Sequence, residues 1–330
     1  MDDFLAHRSA SPATTLSKAL LESSSKFCNQ RSAGATTTKS KAQLLPRHIP
    51  LTKSSSSWII HIPKFFCSPS QQAFKQVWKT HPPGYHPIKV YGKKFEENRY
   101  SQLYSIFNWG SNTEDLDEEK STGTRTKDNR IQESYTYSGT TRPFIPCDPS
   151  KEEELFIVTL CEVADDLVSQ LINDGIVKAS PTTVNQKNQS NHLYNGCLIN
   201  WYQPEHHIGL HSDDEAKMDL SLPILSLSWG GPRRFLLRPK PTVQQEAMSP
   251  VHEVLLKDGD LLIMGGKCQE EFKHEVPRIR KMDVIAGNRI SWTIRCVKRS
   301  IIRETKLKEA NGNSYIQDGS TPVAKRKKKI

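Results

Sequence analysis

Spaced cysteine pairs are missing from this 330-residue chain. Its seven cysteines are scattered, and no two stand as C-x-x-C. That pattern speaks against a zinc ribbon and a disulfide framework and suits a reducing compartment. Also missing is any apolar run of membrane-span length. The start, Met1-Asp2-Asp3, has neither the basic residues nor the apolar stretch of a secretory signal. Apolar residues are few, at 35%, and the mean hydropathy is −0.60. Part of the chain is therefore expected to stay outside any core. Acidic residues are outnumbered: 36 Asp and Glu against 46 Lys and Arg leave a formal charge of +10. A surplus of this sign fits a polyanionic partner such as nucleic acid, although basic tails carry part of it.

The length allows one large domain or two small ones. Residues 1–56 are rich in Ser, Thr, Lys, Ala and Gln and read as a disordered N-terminal arm. Residues 58–62, Trp-Ile-Ile-His-Ile, read as a first strand, and 71–79 as a short amphipathic helix halted before Pro82-Pro83. Residues 85–147 are irregular and rich in tyrosine, and 111–129 within them read as a flexible acidic insert. The clearest helix covers 150–174. Ser150 and Glu153 predict a capping box, Leu160, Ala164, Leu167 and Leu171 an apolar stripe, and Gly175 the stop. From Gly196 the pattern changes to strands, at 224–229, 234–238, 251–257, 260–264 and 289–297. Asp258-Gly259, between two apolar runs, predicts a hairpin turn. The fold class is mainly β (α+β), with two helices ahead of many short strands. Residues 300–330 read as a disordered tail. They end in five basic residues, Lys325-Arg326-Lys327-Lys328-Lys329, which read as a nuclear address, a DNA-binding tail or a solubilising terminus.

Three elements of the strand-rich region point to chemistry. His211-Ser212-Asp213 places an imidazole and a carboxylate at i and i+2, on one face of an extended segment. His274 follows downstream, and Arg289 and Arg295 stand six residues apart. Alone, H-x-D is commonly a surface turn, and arginines on a strand commonly mark a solvated or ion-paired face. In this order they suggest two imidazoles and one carboxylate on one side of a non-haem Fe(II). The arginines would serve a carboxylate-bearing cosubstrate. His206, His207 and His252 lack the spacing or partner of a ligand, and His207 is at most a neighbour of the site.

From about residue 57 to 298 the chain resembles the AlkB family of Fe(II)/2-oxoglutarate nucleic-acid dioxygenases, most of all its eukaryotic DNA-repair branch. The resemblance lies in Val90-Tyr91-Gly92-Lys93, Tyr135-Thr136-Tyr137-Ser138-Gly139, Leu198-Ile199-Asn200-Trp201-Tyr202, residues 207–215, Asp258-Gly259-Asp260-Leu261-Leu262-Ile263-Met264 and residues 289–295. It implies a double-stranded β-helix, or jelly-roll, core spanning 57–299, with a nucleotide-recognition lid over about 85–147. It implies Fe(II) on His211, Asp213 and His274, with 2-oxoglutarate and O2 as cosubstrates. Asn200 and Tyr202 would hydrogen-bond 2-oxoglutarate, Arg289 would hold its distal carboxylate, and Arg295 would sit nearer its oxo-acid end. Ser291 stands where the family usually has Asn, one polar contact fewer. Tyr202 on its own also reads as a barrel-core tyrosine.

The same resemblance assigns base recognition. Tyr137 would stack on a flipped base opposite His211, Tyr135 and Ser138 would help build the lid, and Glu215 would read the base edge. Outside the resemblance Glu215 is a surface charge. Tyr91 would fill the gap left by the flipped base. Arg233, Arg234, Arg238, Lys240, Arg278, Arg280 and Lys281 could line a phosphate groove or simply face solvent. Phe4-Leu5-Ala6 resembles the apolar centre of the sliding-clamp peptide found in a nuclear family member. The implied activity is oxidative demethylation of 1-methyladenine and 3-methylcytosine in DNA, releasing formaldehyde and succinate, by a nuclear, monomeric enzyme. The same chemistry on RNA, a nucleic-acid-binding module with a silent iron site, and a protein-side-chain oxygenase are the rival readings.

Overall fold

Period-two alternation decides how this chain folds. The computed structural model describes residues 46–66, 68–90, 92–106, 134–137, 139–148, 150–178, 192–279 and 287–298. The expectations for the insert at 111–129, for Tyr91, Ser138, Arg280 and Lys281, and for most of the N-terminal arm and the whole C-terminal tail lie outside these residues. The chain divides into Met1–Lys298 and Arg299–Ile330, and all the described residues belong to the first.

The elements in chain order are β1 Arg47–Pro50, β2 Ser57–Ile62, α1 Gln71–Trp78, β3 Pro87–Val90, β4 Lys93–Glu96, β5 Tyr100–Ser105, β6 Ser134–Tyr137, β7 Thr140–Pro143 and β8 Ile145–Pro146. There follow α2 Glu152–Asn173, β9 Gly196–Tyr202, β10 Ile208–His211, β11 Ile224–Gly230, β12 Arg233–Pro239, β13 His252–Leu256, β14 Leu261–Gly266, α3 Cys268–Glu271, β15 Phe272–Val276 and β16 Arg289–Arg295. An eight-stranded sheet runs β1-β2-β14-β11-β16-β9-β5-β8, and a four-stranded sheet runs β10-β15-β12-β13; β3-β4 and β6-β7 are separate hairpins.

The central strands of the large sheet are buried on both faces. One face of β9, β11 and β16, carrying Trp201, Leu225, Leu227, Trp229, Ile290, Trp292 and Ile294, packs with Leu160, Ala164, Leu167 and Leu171 of α2. This is the stripe that the 3.6-residue period predicts. Towards the small sheet, Ile59, Tyr202, Ile224, Leu262 and Met264 meet Phe235, Leu237, Val254, Leu256 and Phe272. The chain therefore forms two β layers with a helix outside the larger one, as expected of a jelly-roll core.

Three details depart from the sequence reading. The expected boundary near residue 56 lies inside paired structure: β1 pairs β2 from Arg47↔His61 to Pro50↔Trp58, and Leu51 is fully buried. Ser150 is not the N-cap. The helix starts at Glu152 with Lys151 at the N-cap, whose side chain caps no backbone amide, and the Ser150 hydroxyl donates to Asp148 Oδ1 at 2.6 Å. Gly175 does stop the helix, at φ 72, with the Ile176 amide donating to the Leu171 carbonyl at 2.9 Å. Finally, Asp258-Gly259 is a turn but not a hairpin, because β13 pairs β12 whereas β14 pairs β2 and β11. The turn carries the chain from one sheet to the other. Asp258 Oδ1 accepts from the Gly230 amide at 2.7 Å, and Asp260 Oδ2 takes the Lys257 amide and His61 Nε2, each at 2.9 Å. These bonds seat the crossover on its neighbours.

Candidate active site

The faces turned towards the small sheet carry polar residues at alternate positions. On β16 these are Arg289, Ser291, Thr293 and Arg295; on β9, Asn200 and Tyr202; on β11, Ser226. All line one cavity, closed on the opposite side by Phe235, His274 and Val276. Cross-strand register sets them side by side, with Ser291 opposite Asn200 and Arg289 opposite Tyr202. The arginines are six apart, an even number, so a regular strand must give both the same face.

His211 closes β10 and His274 lies directly across from it on β15. Asp213 follows β10 in a loop fixed by two bonds: the Ser212 hydroxyl donates to the Phe272 carbonyl at 3.0 Å, and the Asp213 amide to Gln269 Oε1 at 2.9 Å. His211, Asp213 and His274 offer ligand atoms within 4.8 Å of one another. Asp213 lies 3.7 Å from His211 Nε2 and 3.8 Å from His274 Nε2. His211 Nδ1 donates to the Gly209 carbonyl at 2.9 Å, which leaves Nε2 with its lone pair facing Asp213.

Electrostatics keep this set in a ligating state. Burial lowers the pKa of His211, against the pull of Asp213. Burial and then the neighbouring His211 push His274 down to about 3. Both imidazoles are therefore neutral at physiological pH. Burial alone would raise the Asp213 carboxyl, but Arg295 and the two histidines overcome it and hold it below its ordinary value. Arg295 Nη2 stands 2.7 Å from Asp213 Oδ1, off the hydrogen-bond line, so the oxygen keeps a lone pair for a cation.

Arg289 supplies the fit test for a carboxylate. It is 1% exposed. Its Nη2 donates to Ser228 Oγ at 2.9 Å and to Ser291 Oγ at 3.3 Å, and its guanidinium lies 5.2 Å from the centre of the Tyr202 ring. Its Nε and Nη1 are buried without a hydrogen-bond partner. Orphaned charged donors facing a cavity are costly unless a planar anion takes them. The residues present thus suit a divalent metal at one end of the cavity and a dicarboxylate reaching towards Arg289. Ser291, on the usual Asn position, is spent on Arg289 and on Ser226 Oγ at 3.2 Å.

The other expected residues are placed as follows. Tyr135 and Tyr137 lie on β6, opposite Arg142 and Thr140, but their side chains are outside the described set, as are all of Tyr91 and Ser138. Val90 pairs with Lys93 at the end of the β3-β4 hairpin, and Gly92 in its turn is at φ 77. Glu215 is half-buried in the loop after Asp213 and is not among the residues lining the cavity. His206 bonds the Gln203 amide at 3.1 Å and the Tyr85 hydroxyl at 3.0 Å, and neither it, His207 nor His252 joins the metal-ligand cluster.

The expected phosphate groove is corrected at Arg233, which is 2% exposed and donates to the carbonyls of Pro232, Gln203 and Gly287. Arg234 makes two 2.7 Å bonds to Glu253, Arg238 pairs Glu275 at 3.2 Å, and Lys240 pairs Asp214 at 3.5 Å. Sequence reasoning missed the charged cavity residue Arg99. It is 4% exposed and its Nε donates to Asn200 Oδ1 at 2.7 Å. It stands just before β5, which pairs β9, and nothing in the sequence marked it.

Comparison with known proteins agrees with this geometry. A model of the 2OG-Fe(II) oxygenase superfamily matches residues 59–295. The chain is 36% identical over 93 residues to "Alpha-ketoglutarate-dependent dioxygenase alkB homolog 3" of Mus musculus, a match covering 27% of this chain and 32% of that protein. It is 32% identical over 117 residues to "DNA oxidative demethylase ALKBH2" of Bos taurus, covering 34% and 41%. The matches thus span only about a third of these relatives' length. "The structure of OsALKBH1" is similar over 76% of this chain and 99% of that one, at 17% identity and a TM-score of 0.41. The family match runs from β2 through β16 and takes in both histidines, the aspartate and both arginines, so this chain belongs to the 2OG-Fe(II) oxygenase superfamily, whose chemistry uses Fe(II), 2-oxoglutarate and O2, and the relatives it is similar to within that superfamily are AlkB homologues.

Proposed function

We propose that this enzyme removes N-linked methyl groups from nucleic-acid bases by oxidation, and that 1-methyladenine and 3-methylcytosine in DNA are its substrates. The observation that carries the reading is the buried cavity, which joins the His211, Asp213 and His274 cluster to the unpartnered donors of Arg289. The likeness to a protein named as a DNA oxidative demethylase supports DNA as the substrate.

His211 Nε2, His274 Nε2 and the Asp213 carboxylate hold the metal. Arg289 takes the distal carboxylate of 2-oxoglutarate through its free donors, with Tyr202 beneath the guanidinium and Asn200 alongside. Arg295 holds the Asp213 carboxylate ionised and in place. When bound, Fe(II) and 2-oxoglutarate activate O2 to oxidise the N-methyl carbon, with loss of carbon dioxide and formation of succinate. Tyr137 stacks on the flipped base, Tyr135 and Ser138 shape the lid, Glu215 reads the base edge, and Tyr91 fills the gap in the duplex. The hydroxymethyl left on nitrogen is a hemiaminal, which breaks down to formaldehyde and the repaired base. The oxygenase domain takes in β1 and covers about 47–298. The basic run 325–329 acts as a nuclear address, and Phe4-Leu5-Ala6 as a sliding-clamp contact.

The test is a demethylation assay with iron and 2-oxoglutarate on methylated single-stranded DNA, duplex DNA and RNA, reading formaldehyde and succinate. Demethylation of DNA is expected. Activity on RNA alone would move the substrate to RNA, and 2-oxoglutarate turnover without demethylation of any of them would overturn the nucleic-acid reading.

A further inference from the structure

A buried carboxylate outside the metal centre connects two parts of the molecule. Glu97 is 2% exposed. Its Oε2 accepts from the Ser101 hydroxyl at 2.5 Å. Its Oε1 pairs with Arg142 Nη2 and lies 3.8 Å from Arg99 Nη2. Arg142 also donates from Nη1 to Ser101 Oγ at 2.9 Å. Arg142 belongs to β7, opposite Tyr135 of β6, whereas Arg99 lines the cavity and donates from Nε to Asn200 Oδ1. An unbroken chain of charged contacts thus runs from the β6-β7 hairpin through Glu97 and Arg99 to Asn200.

This chain has a definite physical consequence. Asn200 Oδ1 is occupied by Arg99, so the amide nitrogen is the end of Asn200 left to serve an acceptor. The other end of that guanidinium, Arg99 Nη2, lies 3.8 Å from Glu97 Oε1, so the carboxylate is the anion beside it. The two guanidiniums share one carboxylate, and removing the negative charge would leave two buried cations facing each other. The one on the two-stranded hairpin is the easier to displace, since an isolated hairpin has little stability of its own.

We propose that Glu97 is a positioning residue that couples the β6-β7 hairpin to the 2-oxoglutarate pocket, through Arg142 on one side and Arg99 and Asn200 on the other. Order in the hairpin and occupancy of the pocket then favour each other, and the coupling is reciprocal. The hairpin's service as a base-recognition lid rests on the function proposed above; the coupling itself does not.

The test uses the full chain loaded with Mn(II), and no nucleic acid. 2-Oxoglutarate is titrated calorimetrically into wild type, Glu97→Gln, Arg142→Gln and the double variant. Hydrogen exchange of residues 134–143 is followed with and without 2-oxoglutarate, and melting curves control for folding. Each single variant should weaken 2-oxoglutarate binding by roughly fivefold or more. The double variant should add little, because both act through one contact. Bound 2-oxoglutarate should slow exchange in 134–143 in wild type but not in Glu97→Gln. Affinity within about twofold of wild type in a folded single variant, additive losses, or protection that survives in Glu97→Gln would overturn the proposal. If Glu97→Gln fails to fold, Arg142→Lys and Arg142→Gln decide: Lys keeps the charge and should retain more affinity than Gln, and equal affinities refute the coupling. An enzyme that demethylates no DNA would still pass or fail these measurements.

Discussion

At His211 the backbone selects the tautomer. The bond from Nδ1 to the Gly209 carbonyl puts the ring proton on that nitrogen and leaves Nε2 beside Asp213. His211, Asp213 and His274 each supply one ligand, and none has a substitute in the cluster. Replacing any of them by Ala is expected to abolish succinate formation with methylated DNA; full activity in one of these variants would remove that residue from the metal site. Arg289 depends on shape as well as charge. Arg289→Lys keeps a cation but loses the planar fork, and its bonds to Ser228 and Ser291 as they stand. Losing one hydrogen bond to a charged group costs about 1.5–3 kcal/mol. The dissociation constant for 2-oxoglutarate should therefore rise about tenfold or more, and overlapping titration curves would exclude Arg289 as the anchor.

At the scale of elements, two turns have contrasting work. The β3-β4 hairpin closes at the Val90↔Lys93 pair, with Gly92 in its turn, and Lys93 and Lys94 are exposed. An aromatic there can enter a base stack while the lysines hold phosphate. A single strand offers no gap to fill. Tyr91→Ala should therefore slow repair of a methylated base in duplex DNA far more than in the matching single strand, with an unchanged melting temperature. Equal losses with a lowered melting point would make Tyr91 a packing residue. Gly259 has a structural duty. Its φ is 82, and a Cβ there would lie 2.3 Å from the Phe66 carbonyl oxygen. Gly259→Ala should cost about 1–3 kcal/mol by denaturant unfolding, since the strain falls where the chain passes between sheets. A neutral result would show that the crossover relaxes freely.

Across the whole molecule, binding and protonation both feed back on stability. The metal and 2-oxoglutarate bind the folded cavity, whose donors come from both sheets. Mn(II) with 2-oxoglutarate should raise the melting temperature, in proportion to the logarithm of ligand concentration over its dissociation constant. The Asp213→Ala variant should lose that rise. Glu97 sets a pH dependence. Burial would raise its pKa, but Arg99, Arg142 and Ser101 hold it below the ordinary value of 4.5. A depressed folded-state value gives stability that is full above the unfolded value and is lost as pH falls through the folded one. Wild type should thus lose stability on acidification below about pH 4.5, and Glu97→Gln should show a shallower fall there.

Local pattern was enough for several features. The i, i+2 spacing of His211 and Asp213, the even spacing of Arg289 and Arg295 and the stripe on α2 are all consequences of strand or helix periodicity, and the structure keeps them. The family resemblance, and not local pattern, marked Asn200, Tyr202 and Ser291, which line the cavity. Other features had no local signal. Asp258-Gly259 looked like a hairpin because a turn residue reports only a reversal, and not which sheet receives the next strand. Arg233 read as a phosphate-groove or solvent-facing cation and Arg99 carried no signal of its own, yet one is buried on three carbonyls and the other lines the cavity. What the amino-acid order determined by itself is which residues share a face, because that depends on backbone period alone. Which faces meet, which cations are neutralised and which donors are left over was decided only by tertiary structure, because strand pairing and ion pairing join residues far apart in the chain.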